Sequence, residues 1–164
     1  MRLFYAINFN EKEKSYFLEA QKRIKEVSTK ASFTLKDNFH LTLNFVGETT
    51  NAQLNDLLQK LEAINTKPFT LKFNRLDTFR GDLWYVAAQE NNQLTKLNNY
   101  LSNSNKNRFL AHVTIARRVL LKDHVIDKDL EKLTVEVNKI SLMESKRIDG
   151  RLTYIEVASK SLNH

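Results

Sequence analysis

The tetrapeptide His40-Leu41-Thr42-Leu43 recurs 72 residues later as His112-Val113-Thr114-Ile115, and this duplicated alternation constrains the fold more than any other feature. Successive side chains of a strand point to opposite faces, so His40 and Thr42 share one face, roughly 6.5–7 Å apart, while Leu41, Leu43 and Phe45 point to the other. His112 and Thr114 share a face in the same way, with Val113 and Ile115 opposite. Each segment is predicted to be a strand with one polar side and one side suited to a core. A single histidine on such a strand is more often structural than catalytic. Two of the four histidines in one frame point instead to a pseudo-symmetric body whose two imidazoles and two hydroxyls face a common cleft.

The surrounding pattern mixes strands with helices. Residues Leu3 to Phe9 read as a strand, and Asn10 with Glu13 is a capping-box start for a helix carrying Phe17, Ala20, Ile24 and Val27 at helical spacing through Ser28. A strand from Phe39 to Val46 ends at Gly47. Thr50 and Gln53 then open a second amphipathic helix through Leu54, Leu57, Leu58, Leu61 and Ile64. Past Pro68, strands are predicted at Phe69–Phe73 and Leu83–Ala88 around an Arg80-Gly81-Asp82 turn, then a helix at Gln93–Leu101 on Leu94, Leu97 and Leu101. The polar run Ser102–Asn107 reads as a loop delivering the chain to a strand at Phe109–Arg117. A short helix is expected at Asp127–Leu133, and a final hairpin at Thr134–Ser145 and Leu152–Ala158 with its turn at Asp149-Gly150. Hairpins outweigh strand–helix units, so the expected class is α+β: a bilobal, pseudo-symmetric fold, its antiparallel sheets lining a central cleft with helices outside.

A chain of 164 residues, 41% hydrophobic with ten Phe, suits one domain spanning 1–164 and a substantial core. Three Gly and one Pro leave no linker and no glycine-rich phosphate loop. The formal charge of +7 and pI near 9.6 favour RNA, DNA or a phosphorylated small molecule as partner. The absence of cysteine removes disulfides, thiolate nucleophiles and Cys-bound zinc. With no apolar run near the roughly 20 residues that span a bilayer, no membrane insertion is expected, and a cytoplasmic monomer is.

Hydrolysis of a cyclic phosphate needs one group to take a proton from water and another to give one to the departing ribose oxygen. Histidine suits both roles, because its ordinary pKa of about 6.5 leaves either form accessible near neutrality. Threonine hydroxyls beside them can hold the phosphoryl oxygens in line. No His-x-x-x-His or His/carboxylate cluster has ligand spacing, so neither a metal nor a cofactor is expected.

These residues resemble the 2H phosphoesterases, and within them the LigT-like RNA 2′,3′-cyclic phosphodiesterases. The resemblance runs from Arg2-Leu3-Phe4-Tyr5-Ala6-Ile7 through His40-Leu41-Thr42-Leu43-Asn44-Phe45-Val46-Gly47, Leu83-Trp84 and Phe109-Leu110-Ala111-His112-Val113-Thr114-Ile115-Ala116-Arg117 to Leu142, Ser145, Gly150 and Tyr154. It implies both motifs on neighbouring strands of a cleft and hydrolysis of 2′,3′-cyclic phosphate RNA ends or nucleotides to 2′-phosphates, with 2′-5′ RNA joining by analogy. It implies His40 as proton donor, His112 as proton acceptor, and Thr42 and Thr114 as catalytic partners. It also implies Arg117 as a phosphate ligand, although strict alternation turns Arg117 away from His112, so a bulge or strand end is required there. Ala111 and Phe33 stand where many relatives have Pro and Trp, a difference that bears on the cleft rim rather than on the chemistry.

Among the aromatic residues, Tyr5 and Tyr154 are selected as substrate-stacking candidates, from a group that also includes Phe4, Trp84 and Tyr85. Lys146, Arg147 and Arg151 flank the last turn and read as a solvated turn or a basic rim. His124 and His164 lie in polar or terminal sequence and read as solvated. Two alternatives compete: a non-catalytic RNA-binding module, and a family enzyme acting on another phosphoester, such as an ADP-ribose cyclic phosphate or a 2′-5′ linked oligonucleotide.

Overall fold

The computed structural model describes residues 1–122 and 125–163; the expectations for His124 and His164 lie outside the described residues. Strand β1 (Arg2–Asn8) leads into α1 (Glu11–Val27), β2 (Ser28–Phe33), a 3-10 turn (Lys36–Asn38) and β3 (His40–Glu48). Then come α2 (Asn51–Glu62), β4 (Phe69–Phe79), β5 (Leu83–Ala88), α3 (Asn92–Ser102), β6 (His112–Leu121), β7 (Asp129–Val137), β8 (Lys139–Ile148) and β9 (Arg151–Ser161). The strands form two sheets, β3-β1-β8-β9 and β2-β6-β5-β4-β7, in which every pairing is antiparallel. This is the expected α+β, two-lobed arrangement.

Both predicted capping boxes form. Asn10 Oδ1 accepts from the Glu13 amide at 2.8 Å while Glu13 Oε1 accepts from the Asn10 amide at 2.9 Å, and Thr50 with Gln53 repeats the reciprocal pair. The helices brace the sheets crosswise. Helix α1, which follows β1, packs on β6 of the five-stranded sheet, and α3, which follows β5, packs on β3 of the four-stranded sheet. Leu41, Leu43, Val113 and Ile115 are fully buried in the cluster these helices cover, so the apolar half of each tetrapeptide anchors its strand. Truncating Leu41 to Ala is expected to cost about 2–5 kcal/mol.

Four local expectations are corrected. The segment expected to hold a helix at Asp127–Leu133 opens strand β7. Leu130 and Leu133 mimic helical spacing, but Val135 and Val137 bury alternately and the ladder with β4 satisfies the backbone. The run Thr134–Ser145 is not one strand: β7 ends at Val137 in the five-stranded sheet and β8 starts at Lys139 in the other, so Asn138 carries the chain between lobes. Strand β2 carries no strand pattern in the sequence, because Ser-Thr-Lys-Ala-Ser-Phe offers an edge strand few apolar residues. Strand β4 continues past Phe73 to Phe79 because β5 supplies partners to its end.

Candidate active site

The two motif strands belong to different sheets, so no ladder joins them; they meet across the cleft instead. His40 and Thr42 from one lobe and His112 and Thr114 from the other line a single cavity of about 590 Å³, within the range of small-molecule sites. Arg117 lines it too, against strict alternation, because of a bulge. On β5, Tyr85 pairs with Thr114 and Trp84 with Ala116, which leaves Ile115 as an extra residue. Ile115 and Ala116 are both buried, the parity shifts by one, and Arg117 returns to the face of His112.

The same device operates in the first motif and corrects another expectation. Tyr5 pairs with Asn44 and Ala6 with Thr42, so Leu43 is the extra residue of β3. Phe45, expected on the core side, therefore faces the cavity at 52% exposure. It stands five residues after His40, as Arg117 stands five after His112. The Arg2 guanidinium lies 4.7 Å from the centroid of its ring. Alternation alone misplaces Phe45 as it does Arg117; the signal for Phe45 is its correspondence with Arg117 in the repeat.

At each bulge a buried side-chain amide donates to the carbonyl of the extra residue. Asn98 on α3 donates Nδ2 to Leu43 O at 2.7 Å, and Gln21 on α1 donates Nε2 to Ile115 O at 2.9 Å. Both residues are nearly fully buried, so these bonds replace water that cannot reach.

The histidines are held alike. His40 Nδ1 lies 2.8 Å from the carbonyl of Asn38, two residues earlier, and His112 Nδ1 lies 3.3 Å from the carbonyl of Leu110, also two earlier. A carbonyl only accepts, so Nδ1 carries the proton and the neutral ring presents Nε2 as its basic nitrogen. In His40 that nitrogen meets Thr42 Oγ1 at 2.9 Å, so the hydroxyl donates to the neutral ring. The Asn38 side chain in turn donates to Leu152 O at 2.9 Å, tying the turn that carries its carbonyl to β9.

Two aromatic rings flank each imidazole. Phe4 and Tyr154 stand 5.0 and 4.9 Å from His40, and Phe79 and Tyr85 stand 5.6 and 5.2 Å from His112. Burial in these boxes pushes both histidines below their ordinary value of 6.5, and the positive charge of Arg117 pushes in the same direction. The carbonyls of Asn38 and Leu110 oppose the shift, since they favour the charged ring. Arg117 also lowers the Tyr154 phenol against a larger rise from burial, which puts its charge within reach of both halves of the site.

Of the aromatic candidates, Tyr154 lines the cavity and Tyr5 does not. Tyr5 is fully buried on the core face of β1, and its hydroxyl donates to Leu57 O of α2 at 2.7 Å. Its apolar neighbours in the strand are core residues, so Tyr5 is corrected from the substrate surface to the core. Trp84 is likewise buried. Of the three basic residues at the last turn, Arg147 alone lines the cavity, and Lys146 lies 4.0 Å from Glu144. Among the described residues no group of three or more His, Cys, Asp or Glu side chains is placed to hold a metal ion, and no helix is long and apolar enough to cross a membrane.

An α+β fold with one His-x-Thr strand from each of two sheets at a shared cleft defines the class of paired-histidine, or 2H, phosphoesterases. Comparison with known proteins narrows this. The profile described as LigT like Phosphoesterase matches residues 8–85. The RNA 2′,3′-cyclic phosphodiesterase of Aquifex aeolicus is 30% identical over 152 residues, covering 77% of this chain and 81% of the relative. The protein of the same name from Thermotoga maritima is 26% identical over 164 residues, covering 88% and 87%. Crystal structures of E. coli LigT, in apo form and complexed with 3′-AMP, superpose with a TM-score of 0.83 each at 24% and 22% identity, covering 99% of this chain and 98% of theirs. The chain belongs to the LigT-like phosphoesterases.

Proposed function

We propose that the chain hydrolyses the 2′,3′-cyclic phosphate of RNA ends or nucleosides to a 2′-phosphate by paired-histidine acid/base catalysis. The observation that carries this reading is one cavity lined by both histidines and both threonines, with Arg117 turned in among them. The names of the Aquifex and Thermotoga relatives support the substrate class.

In the proposed reaction His112, neutral at Nε2, takes a proton from water as the water oxygen bonds to phosphorus. The bond from phosphorus to O3′ breaks opposite it, and the His40 imidazolium gives its Nε2 proton to O3′. The order of roles, His40 as donor and His112 as acceptor, follows the resemblance to the family; burial lowers both rings and a carbonyl bond at Nδ1 favours the charged form of each. Thr42 and Thr114 donate hydroxyls to the non-bridging oxygens, and Arg117 pairs with the phosphoryl charge. Bound phosphate also raises the pKa of both histidines and so offsets burial when a charged ring is needed. A ribose 5′-hydroxyl in the place of water would yield a 2′-5′ linkage.

The test is incubation with a nucleoside 2′,3′-cyclic phosphate in excess EDTA, with the product identified by phosphorus NMR. The 2′-phosphate is the expected product. No turnover, or a 3′-phosphate, would contradict the reading.

A further inference from the structure

The cavity carries more positive charge than one cyclic phosphate can balance. Arg2, Arg117, Arg118 and Arg147 line it, and among the described residues no carboxylate does. None of the four is ion-paired with a described carboxylate. A cyclic phosphodiester bears a single negative charge, which Arg117 beside the histidines suffices to meet. The surplus calls for further anionic groups on the same substrate.

Arg118 is the most specifically built of the other three. Along β2 the partners step from Lys30 opposite Leu120 to Ser32 opposite Arg117, so β6 gains a residue in this stretch. Arg118 lies within it at φ 53°, in the left-handed region that disfavours a residue with a side chain. The conformation lets two successive arginines both line the cavity. The guanidinium is then fixed by Ser32, whose Oγ accepts from Nε at 3.2 Å and Nη2 at 3.0 Å. One guanidinium edge is held, and the planar fork has further donors free to bind an oxyanion. Ser32 and Thr34 line the wall beside it.

We infer that Arg118, set by Ser32, is a subsite for a second phosphate of the substrate. The site is therefore built for an RNA strand end, whose next phosphate lies on the 5′ side of the terminal nucleotide, in preference to a nucleoside cyclic phosphate. The inference rests on the cyclic-phosphodiesterase reading and deepens it. Affinity for the strand backbone comes from charge rather than base identity, so the preference is independent of sequence.

The experiment compares kcat/KM for three substrates: a nucleoside 2′,3′-cyclic phosphate, the same compound bearing a 5′-phosphate, and a dinucleotide ending in the cyclic phosphate. The second phosphate is expected to raise kcat/KM about tenfold or more in either form. An equal gain with the 5′-phosphate assigns the subsite to phosphate alone; a larger gain with the dinucleotide assigns it to the strand backbone. Arg118→Gly suits the left-handed backbone, so it keeps the fold while deleting the guanidinium. It is expected to collapse the ratio toward one and to flatten the slope of log kcat/KM against log salt for the dinucleotide by about 0.7. Ser32→Ala should lower the ratio in the same direction. If the wild type shows no preference, or if Arg118→Gly lowers all three substrates by one factor, the subsite is overturned and the phosphodiesterase reading stands. If no substrate turns over, both fall.

Discussion

Asn98 donates its side-chain amide to the carbonyl of Leu43 across 2.7 Å, from a helix that belongs to the other half of the chain. Gln21 does the same for Ile115 at 2.9 Å. The bonded carbonyls are those of the two extra residues that turn Phe45 and Arg117 into the cleft. A buried amide from each helix thus stabilises the bulge on which the opposite half-site depends.

Replacing Gln21 by Met keeps volume and removes the donor. Ile115 O still accepts from the Thr34 amide at 3.0 Å, but Thr34 O loses its bond from Gln21 Nε2, so a loss of about 1–3 kcal/mol in stability is expected. If Gln21 acts through the bulge, its effect on kcat/KM should vanish in an Arg117→Ala background and persist in a Phe45→Ala background. Additive effects in both cycles, measured at a temperature where every variant is folded, would reduce Gln21 to a stability role.

Both histidines sit below 6.5, and the proposed catalysis needs one neutral and one charged. The productive form of the free enzyme is most populated between two values that both lie below 6.5, so kcat/KM should peak on the acid side of pH 6.5. Bound phosphate raises both groups, so the kcat profile should lie at higher pH than the kcat/KM profile. Coincident profiles centred above pH 7 would contradict the assignment.

The same shifts bear on stability. A histidine whose folded pKa is depressed binds fewer protons folded than unfolded below about pH 6.5, so stability rises with pH up to that point. It is lost as the pH falls from 6.5 through the lowered values. Urea midpoints at pH 5 and pH 7 check this. Tyr154→Ala, which opens one wall of the His40 box, should move the His40 titration back toward 6.5, as read from its imidazole proton NMR.

The donor and acceptor roles separate with a substrate in which sulfur replaces the leaving 3′ oxygen. A thiolate leaves without a proton, so His40→Ala should recover most of its loss on that substrate while His112→Ala should not. Recovery in His112→Ala instead would exchange the two roles.

Much of this was legible in sequence because burial enforces period. The apolar faces at Leu41 and Val113, the two capping boxes and the helical stripes all follow from periods of 2 and 3.6. What alternation misses is the bulge, since one unpaired residue inverts every later side chain; Phe45 was misplaced for that reason. Arg117 was reached through the resemblance, and the inserted Ile115 supplies its cause. A signal for the braces was present. Gln21 follows Phe17 by four and precedes Ile24 by three, as Asn98 stands between Leu94 and Leu101: an amide inside an apolar stripe, repeated in both halves. The place of Tyr5 is not legible because an aromatic residue in a strand carries no mark of which face it takes. Strand β7 is hidden in the sequence because Leu130 and Leu133 fit a helix until β4 is there to pair with it.

In the proposed reaction His40 and His112 act as one unit on one phosphate. This joint action is tested most directly by kcat/KM for cyclic-phosphate hydrolysis in His40→Ala, His112→Ala and the double variant, each checked for folding by circular dichroism. A loss of about 10²–10⁴ is expected in each single variant, with the double variant little worse than either. Near-wild-type turnover in either single variant, or losses that simply multiply in the double, would contradict the joint action.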